Sequence, residues 1–507
     1  MDLYIGVDSG TQSTRALAMD STGAVISKAS RPHTLLGGLP LGHMEQRPED
    51  WWLATVESIR ECLTDPKVDA SKVRAIGVSG QQHGLVPLNG DGRVIRPAKL
   101  WNDTSTAVEA QALVKKLGGL EAAIDLIGNG IPPGFTASKI LWLRLHEPEN
   151  YRSLATVLLP HDYLNYRLTG ARSMEYGDAS GTALMDVRSR RWRREVVDAI
   201  DPGLMEKLPR LRPSDEPVGR LSAEVSEELG LSQDVLVSAG GGDNIMGAIG
   251  TGNTRPGVVT VSLGTSGTIY AFSEKPVVDP LGEVAAFCDS TNHWLPLVCT
   301  MNVTVATDLA RKTFNLSYGE LEEAVEGAPV GSDGLLFLPY LTGERTPNLP
   351  GGKGVLYGMT PQNYDPRHIT RATLEGVTLG LNYGLNRLRE LRVNPTEIRL
   401  TGGGARNRAW RRVAADVFDA DVVTLHEEEG AAYGAAIQAL WCHRRAQGEK
   451  VAASEITDEL IKLDEGSRVH PDPGSSAKYK KIQGRHDSLM RVLRGFFDTV
   501  QHQGSRE

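Results

Sequence analysis

Asp8 and Asp243 are the residues of this chain best placed to do chemistry, because each ends an apolar run and stands among glycines. Asp8 closes Ile5-Gly6-Val7-Asp8 and opens the turn Ser9-Gly10-Thr11-Gln12-Ser13-Thr14. A carboxylate at a strand end suits magnesium, which keeps several waters and needs few protein oxygens. Thr11 and Ser13 add hydroxyls, and open amides in a tight turn bind anions. Asp243 follows Gly240-Gly241-Gly242, a stretch whose backbone can bend sharply and approach a ligand. A carboxylate there can take a proton from a substrate hydroxyl, and in phosphoryl transfer it mainly orients that nucleophile. Asn244 beside it both donates and accepts. Taken singly, each aspartate is also an ordinary turn former.

Two further clusters are polar where the pattern is otherwise buried. Gln81-Gln82-His83 follows the apolar run 73–78, and buried amides and imidazoles are costly without partners. Such a set suits a polyhydroxylated ligand, although a satisfied loop histidine reads the same way. Thr401-Gly402-Gly403-Gly404-Ala405-Arg406-Asn407 offers a flat backbone for a planar ring, with Asn407 as a polar end. The twelve histidines show no paired spacing of the kind that binds metals. No Walker A lysine motif, Rossmann fingerprint or protein-kinase catalytic loop is present, so a nucleotide would need another scaffold.

The elements that must position these residues include a repeat. Val259-Thr260-Val261-Ser262-Leu263-Gly264-Thr265-Ser266-Gly267-Thr268 copies the first turn: aligned on Gly10 and Gly264, both have Gly-Thr and a second Thr three residues on. Two such hairpins can hold a nucleotide's phosphates, which makes Gly264 and Thr265 phosphate-binding candidates. Only the first copy has an acid; the second has Ser262. Residues 3–7, 14–19 and 24–26 read as a meander, 51–62 as an amphipathic helix, and 73–78 and 235–239 as buried strands. A glycine-rich segment around 250–257 marks a division into domains 1–248 and 249–507. Gly376, Gly380 and Gly384 form a stripe in a predicted helix over 369–391, and Gly430 and Gly434 open another. Interior glycine costs about 1 kcal/mol, so both predict close backbone packing or a face bordering a nucleotide. Residues 472–476 read as a linker, followed by a docking helix with Ile482, Leu489, Leu493, Phe496 and Val500 on one face.

The chain has 507 residues, 40% hydrophobic and 23% charged, which predicts more than one domain. Its formal charge of −8, without a basic stripe, argues against nucleic acid as a partner. No apolar run approaches the ~20 residues of a membrane helix, and no signal-peptide core is seen. Four cysteines without CxxC spacing predict reduced thiols in a cytoplasmic protein.

Together the motifs resemble the FGGY-type carbohydrate kinases, and among them those acting on D-xylulose. The resemblance rests on Tyr4–Thr11, Gly80-Gln81-Gln82-His83-Gly84, Leu100-Trp101-Asn102-Asp103, Pro133-Gly134-Phe135-Thr136-Ala137 and Gly241-Gly242-Asp243-Asn244. It continues through Ser262–Gly267, Phe337–Pro347 and Gly402-Gly403-Gly404-Ala405. It implies an α/β fold of two actin-like (ribonuclease-H-like) ATPase domains around a central cleft, 1–248 binding sugar and 249–507 binding ATP. It implies ATP and Mg²⁺ as cofactors, phosphorylation of D-xylulose to D-xylulose 5-phosphate, and a homodimer. Asp243 would be the proton acceptor and Asp8 would assist through magnesium and water. Gln82, His83, Asp103 and Asn244 would contact the sugar; Thr11, Gly264, Thr265, Gly403, Gly404 and Asn407 would hold ATP. Gln82 stands where the xylulose-type loop pattern often has Met. The alternatives are a kinase for another ketose or polyol such as L-ribulose, and an actin-like ATP switch that is not an enzyme.

Overall fold

The computed structural model describes residues 1–427 and 430–503, with side chains through Thr499, so Val500 falls outside the described side chains. The chain divides into two compact α/β units. The first comprises Met1–Arg255, Phe272–Pro296 and Glu429–Ile461; the second comprises Pro256–Ala271, Leu297–Glu428 and Lys462–Glu507. Among the described residues no helix is long and apolar enough to cross a membrane. All four cysteines are free thiols.

The first unit is built on a sheet whose antiparallel meander Leu3–Ser9, Ser13–Asp20 and Val25–Pro32 continues, parallel, into Val73–Gly80 and Leu236–Val237. Alternation along Leu3–Ser9 sends Leu3, Ile5 and Val7 to one face, where they pack with Trp51, Val56 and Ile59 of the helix Pro48–Thr64. Tyr4 faces the other way, into a cluster with Ala432, Ala435 and Ala436 of the helix Gly430–Ala446. Gly6 and Gly77 lie on that face, and a methyl on either would collide with the carbonyl oxygens of Ala432 and Ala435. Gly434 and Gly250 likewise let Gly430–Ala446 meet the helix Asp243–Gly250 backbone to backbone.

This contact places 430–446 in the first unit, whereas a contiguous division at 248/249 assigns it to the second. The reason is steric. The helix fits only a sheet face stripped of side chains, and Gly6 and Gly77 supply that face. Gly434 therefore serves packing, whereas Gly430 has open space where a side chain would project.

The second unit repeats the plan. Val258–Leu263 pairs antiparallel with Gly267–Ala271, which pairs with Trp294–Thr300; on its other edge Val258–Leu263 runs parallel to Glu397–Thr401, followed by Asp421–Leu425. The long helix Pro366–Glu390 crosses this unit with its glycine stripe turned to neighbours: Gly376 abuts the Phe337 carbonyl and Gly384 the Val298 side chain. The residues read as a linker instead begin the helix Pro473–Gln503, because Asp472 bonds the Ser475 amide at 2.8 Å and starts the turn. That helix docks as expected, through Tyr479, Gln483, Met490 and Phe497. Leu489 and Leu493 pack half-buried against this cluster, as the sequence reading expects, whereas Phe496 is 64% exposed and Phe497 is buried in its place.

Candidate active site

In the first unit, three strand ends arrive in register. Leu3–Ser9 and Val73–Gly80 pair Asp8 with Ser79, and the short strand Gly241–Gly242 pairs Gly241 with the same Ser79. Parallel strands lie ~4.8 Å apart, so Asp8 and Gly241 sit two spacings from each other. Ser79 donates to Asp8 Oδ1 at 2.8 Å and fixes that carboxylate. Asp243 follows directly as the first residue of the helix Asp243–Gly250.

The Asp243 carboxyl is partly buried and pushed up to about 7. Burial is the main cause, the Asp8 carboxylate adds to it, and bonds from Asn244 hold it down in part. Asn244 bonds Asp243 Oδ1 through its backbone N–H at 2.7 Å and its Nδ2 at 2.9 Å. The same Nδ2 donates to Gln82 Oε1 at 3.1 Å. Gly242 is what permits this, since a methyl there would strike the Gln82 side chain. Gln82 Nε2 is buried and has no partner, a donor waiting for an acceptor.

His83 takes a left-handed backbone (φ 65°), unusual for a non-glycine residue. Its carbonyl is held by Thr136 Oγ1 at 3.1 Å and Lys139 Nζ at 2.7 Å. Its ring packs 4.5 Å from Phe135 and 5.6 Å from Phe287, and Gly181 has no side chain to displace it. Lys139 is fully buried; it donates also to the Gly134 carbonyl at 2.7 Å, and burial pulls its ammonium down to about 7. Beneath this loop, His161 lies between Asp178 (2.8 Å) and Asp162 (3.0 Å). Burial opposes its charge, but the two carboxylates outweigh it and raise its pKa well above the usual value.

Thr11 and Asp103 are committed to the protein. Thr11 bonds Gln81 Oε1 and accepts from Trp101 Nε1, and its carbonyl accepts from Gln46. Asp103 is fully buried and accepts from the Met44 amide, Lys99 Nζ and both Ser105 donors. Its neighbour Asn102 instead keeps a buried Oδ1 without a partner. The carboxylates of Asp103 and Glu45 with His43 have metal-like spacing, but Lys99 Nζ already sits 3.2 Å from Asp103 and 3.0 Å from Glu45. An ammonium therefore provides the cation there.

In the second unit, the ends of Val258–Leu263 and Glu397–Thr401 are paired at Ser262 and Thr401, which brings the Gly264 turn beside the glycine run. Thr265 and Ser266 are exposed. Gly402 sits at φ 81° against the Leu263 carbonyl, which only glycine tolerates. Gly403 is exposed and has open space where a side chain would project. Gly404 is packed under Leu263 and Trp410. Asn407 Oδ1 caps the helix Arg408–Phe418 through the Trp410 amide at 2.8 Å, a structural duty the sequence reading did not give it.

Residues 3–250 match the N-terminal domain of the FGGY family of carbohydrate kinases, and residues 259–443 match its C-terminal domain. The chain belongs to this family. It is 40% identical to a xylulose kinase of Haemophilus influenzae over 492 residues, covering 96% of this chain and 98% of that one. It is 37% identical to the xylulose kinase of Escherichia coli, over 82% and 84% of the two chains. Among solved structures, the xylulose kinase of Bifidobacterium adolescentis superposes with a TM-score of 0.82 at 31% identity, over 95% and 99%. One from Brucella ovis does so with a TM-score of 0.90 at 30% identity, over 97% and 100%.

As a member of the FGGY family, the protein is an ATP-using phosphotransferase with a two-domain, actin-like fold. The residues fit both expected cofactors. Gly403, Thr265 and Ser266 leave backbone open to a nucleotide. Asp8 and Asp243 are two carboxylates whose mutual repulsion a divalent cation would relieve. Sequence reasoning missed Ser79, Lys139 and the Asp162–His161–Asp178 cluster. None of these stands out in the sequence; Lys139 shares the helix Thr136–His146 with Arg144 and His146 and differs from them in being buried.

Proposed function

We propose that this protein transfers the γ-phosphate of ATP to the 5-hydroxyl of D-xylulose, giving D-xylulose 5-phosphate. The observation that carries the reading is Asp243, a carboxyl held near neutrality beside Asp8, Asn244 and an unpartnered Gln82 amide. Its pKa of about 7 matches the pH at which a base must collect a proton and later release it.

Gln82, Asn244 and His83 orient the sugar, with Gln82 Nε2 donating to one of its hydroxyls. Asn102 Oδ1 has spare accepting capacity, and Asp103 anchors the loop behind it. Asp243 accepts the proton of the attacking hydroxyl and aligns that oxygen. Asp8, fixed by Ser79, would hold Mg²⁺ through water. When bound, Mg²⁺ neutralises charge on the β- and γ-phosphates. Gly264, Thr265, Gly403 and Gly404 hold ATP by backbone contacts; Thr11 shapes the turn and Asn407 caps the helix beside the run. The relatives named xylulose kinase support the choice of sugar. A cytoplasmic location, where ATP is supplied, and a homodimer belong to the same proposal, and sedimentation checks the latter.

The test is ADP release coupled to a readout, across D-xylulose, L-ribulose and glycerol. Specificity is a ratio of kcat/KM values, so D-xylulose must lead. A higher kcat/KM for L-ribulose overturns the choice of sugar. Absence of ADP release with every sugar overturns the reading as a sugar kinase.

A further inference from the structure

An open groove lies in the first unit, apart from Asp8 and Asp243. It offers about 580 Å³, open to one side, between the start of the helix Pro48–Thr64, the loop 92–97 and the helix Pro160–Thr169. That is within the roughly 300–1,000 Å³ usual for small-molecule sites. Four guanidinium groups line it, from Arg47, Arg93, Arg96 and Arg167, against one carboxylate, Glu49.

These arginines are not equivalent. Arg96 is neutralised, its NH2 held by Glu45 and its Nε by Glu147, each at 2.8–2.9 Å. Arg167 stacks 4.5 Å over the Trp52 ring and bonds the Tyr163 hydroxyl at 2.8 Å, with Glu49 3.9 Å away. Arg47 and Arg93 are exposed, and neither has an acidic partner among the described residues. Setting Arg47, Arg93 and Arg167 against Glu49 leaves a local excess of two positive charges, in a chain whose net charge is −8. Tyr163 and Tyr166 also line it.

We propose that this groove binds a small phosphate monoester, the phosphate between the guanidiniums of Arg47 and Arg93 and the carbon skeleton against Tyr166. Guanidinium is the side-chain group best matched to phosphate, because its planar donors bond two oxygens at once. Occupancy also has a route to the catalytic turn. Arg47 is the N-cap residue of Pro48–Thr64, and the residue before it, Gln46, bonds the Thr11 carbonyl at 2.7 Å and Gln81 at 2.9 Å. A ligand on Arg47 would thus sit one residue from a support of the Asp8 hairpin.

The experiment is isothermal titration of the full chain with inorganic phosphate, ribose 5-phosphate and ribose, at ionic strength matched with chloride. Saturable binding of the two phosphates and none of ribose is expected. The double variant Arg47→Ser/Arg93→Ser should lose affinity by about tenfold or more with an unchanged unfolding midpoint. Arg93→Glu alone should lose at least as much, which guards against a defect peculiar to the helix cap. Equal affinity in wild type and both variants assigns the phosphate to another site and overturns the proposal. So does an equal response to ribose, or no saturable binding of either phosphate.

Discussion

The two Gly-Thr hairpins share a backbone plan and differ in what surrounds it. In the first, Leu3–Ser9 pairs antiparallel with Ser13–Asp20 and parallel with Val73–Gly80; in the second, Val258–Leu263 pairs antiparallel with Gly267–Ala271 and parallel with Glu397–Thr401. The parallel neighbour puts Ser79 beside Asp8 in one and Thr401 beside Ser262 in the other. The first turn is held by side chains: Thr11 by Gln81 and Trp101, Ser9 by Thr14, Thr14 by His33. The second leaves Thr265 and Ser266 exposed and Gly403 clear. A charged group needs a rigid, well-bonded mount to act in chemistry, whereas a phosphate grip needs bare amides. On the proposed reading, the duplicated scaffold separates reaction from nucleotide holding.

The largest effect should come from the charged side. Asp243→Asn should lower kcat by about 10²–10⁴ while nucleotide affinity, measured by titration, stays close to wild type. A parallel loss of nucleotide affinity would erase the distinction between the hairpins. Asp8→Asn should cut turnover less and change the pH dependence of what remains. In wild type the Asp243 carboxyl, near 7, takes a proton as pH falls, so kcat/KM should drop below about pH 7. Asp8 raises that value, so its removal should move the acid limb to lower pH; an unmoved limb would deny the coupling.

On the open side, Gly403→Val should raise KM for ATP by about tenfold and leave KM for the sugar unchanged. It has room for a side chain, so the unfolding midpoint should hold. Lys139→Met probes the mount itself and should raise the sugar KM several-fold through His83. Burial depresses the folded-state pKa of Lys139 to about 7, below its ordinary value near 10.5. Between these values the unfolded chain binds more protons, so this residue makes stability rise with pH. Chemical denaturation at pH 7 and pH 10 should show that increment smaller in Lys139→Met.

Most of the scaffold was legible because its signals are local. The hairpin repeat, the meander and the helix around Trp51 follow from period and turn chemistry alone, whereas the helix Asp243–Gly250 that carries Asp243 and Asn244 was not marked by those signals. Residues whose role depends on a distant partner were not legible. Asp103 and Asn407 have the right chemistry for ligands, yet Lys99 and the Trp410 amide engage them first. Lys139 looks like a surface residue until His83 and Gly134 claim its protons. In the C-terminal stripe Phe496 was read in place of Phe497, because the two are adjacent and equally apolar and only packing chooses between them.

The seam between Gly6, Gly77 and the helix Gly430–Ala446 has a consequence for how the protein is made. The first unit cannot be finished when its first 255 residues leave the ribosome, since the piece that fills its bare sheet face is translated well over a hundred residues later. Until then a trough of exposed backbone and alanine-sized gaps stays unsealed. Closing so long a loop costs entropy and slows assembly. A fragment ending at Arg255 is therefore expected to aggregate when produced alone and to recover when Gly430–Ala446 is supplied in trans.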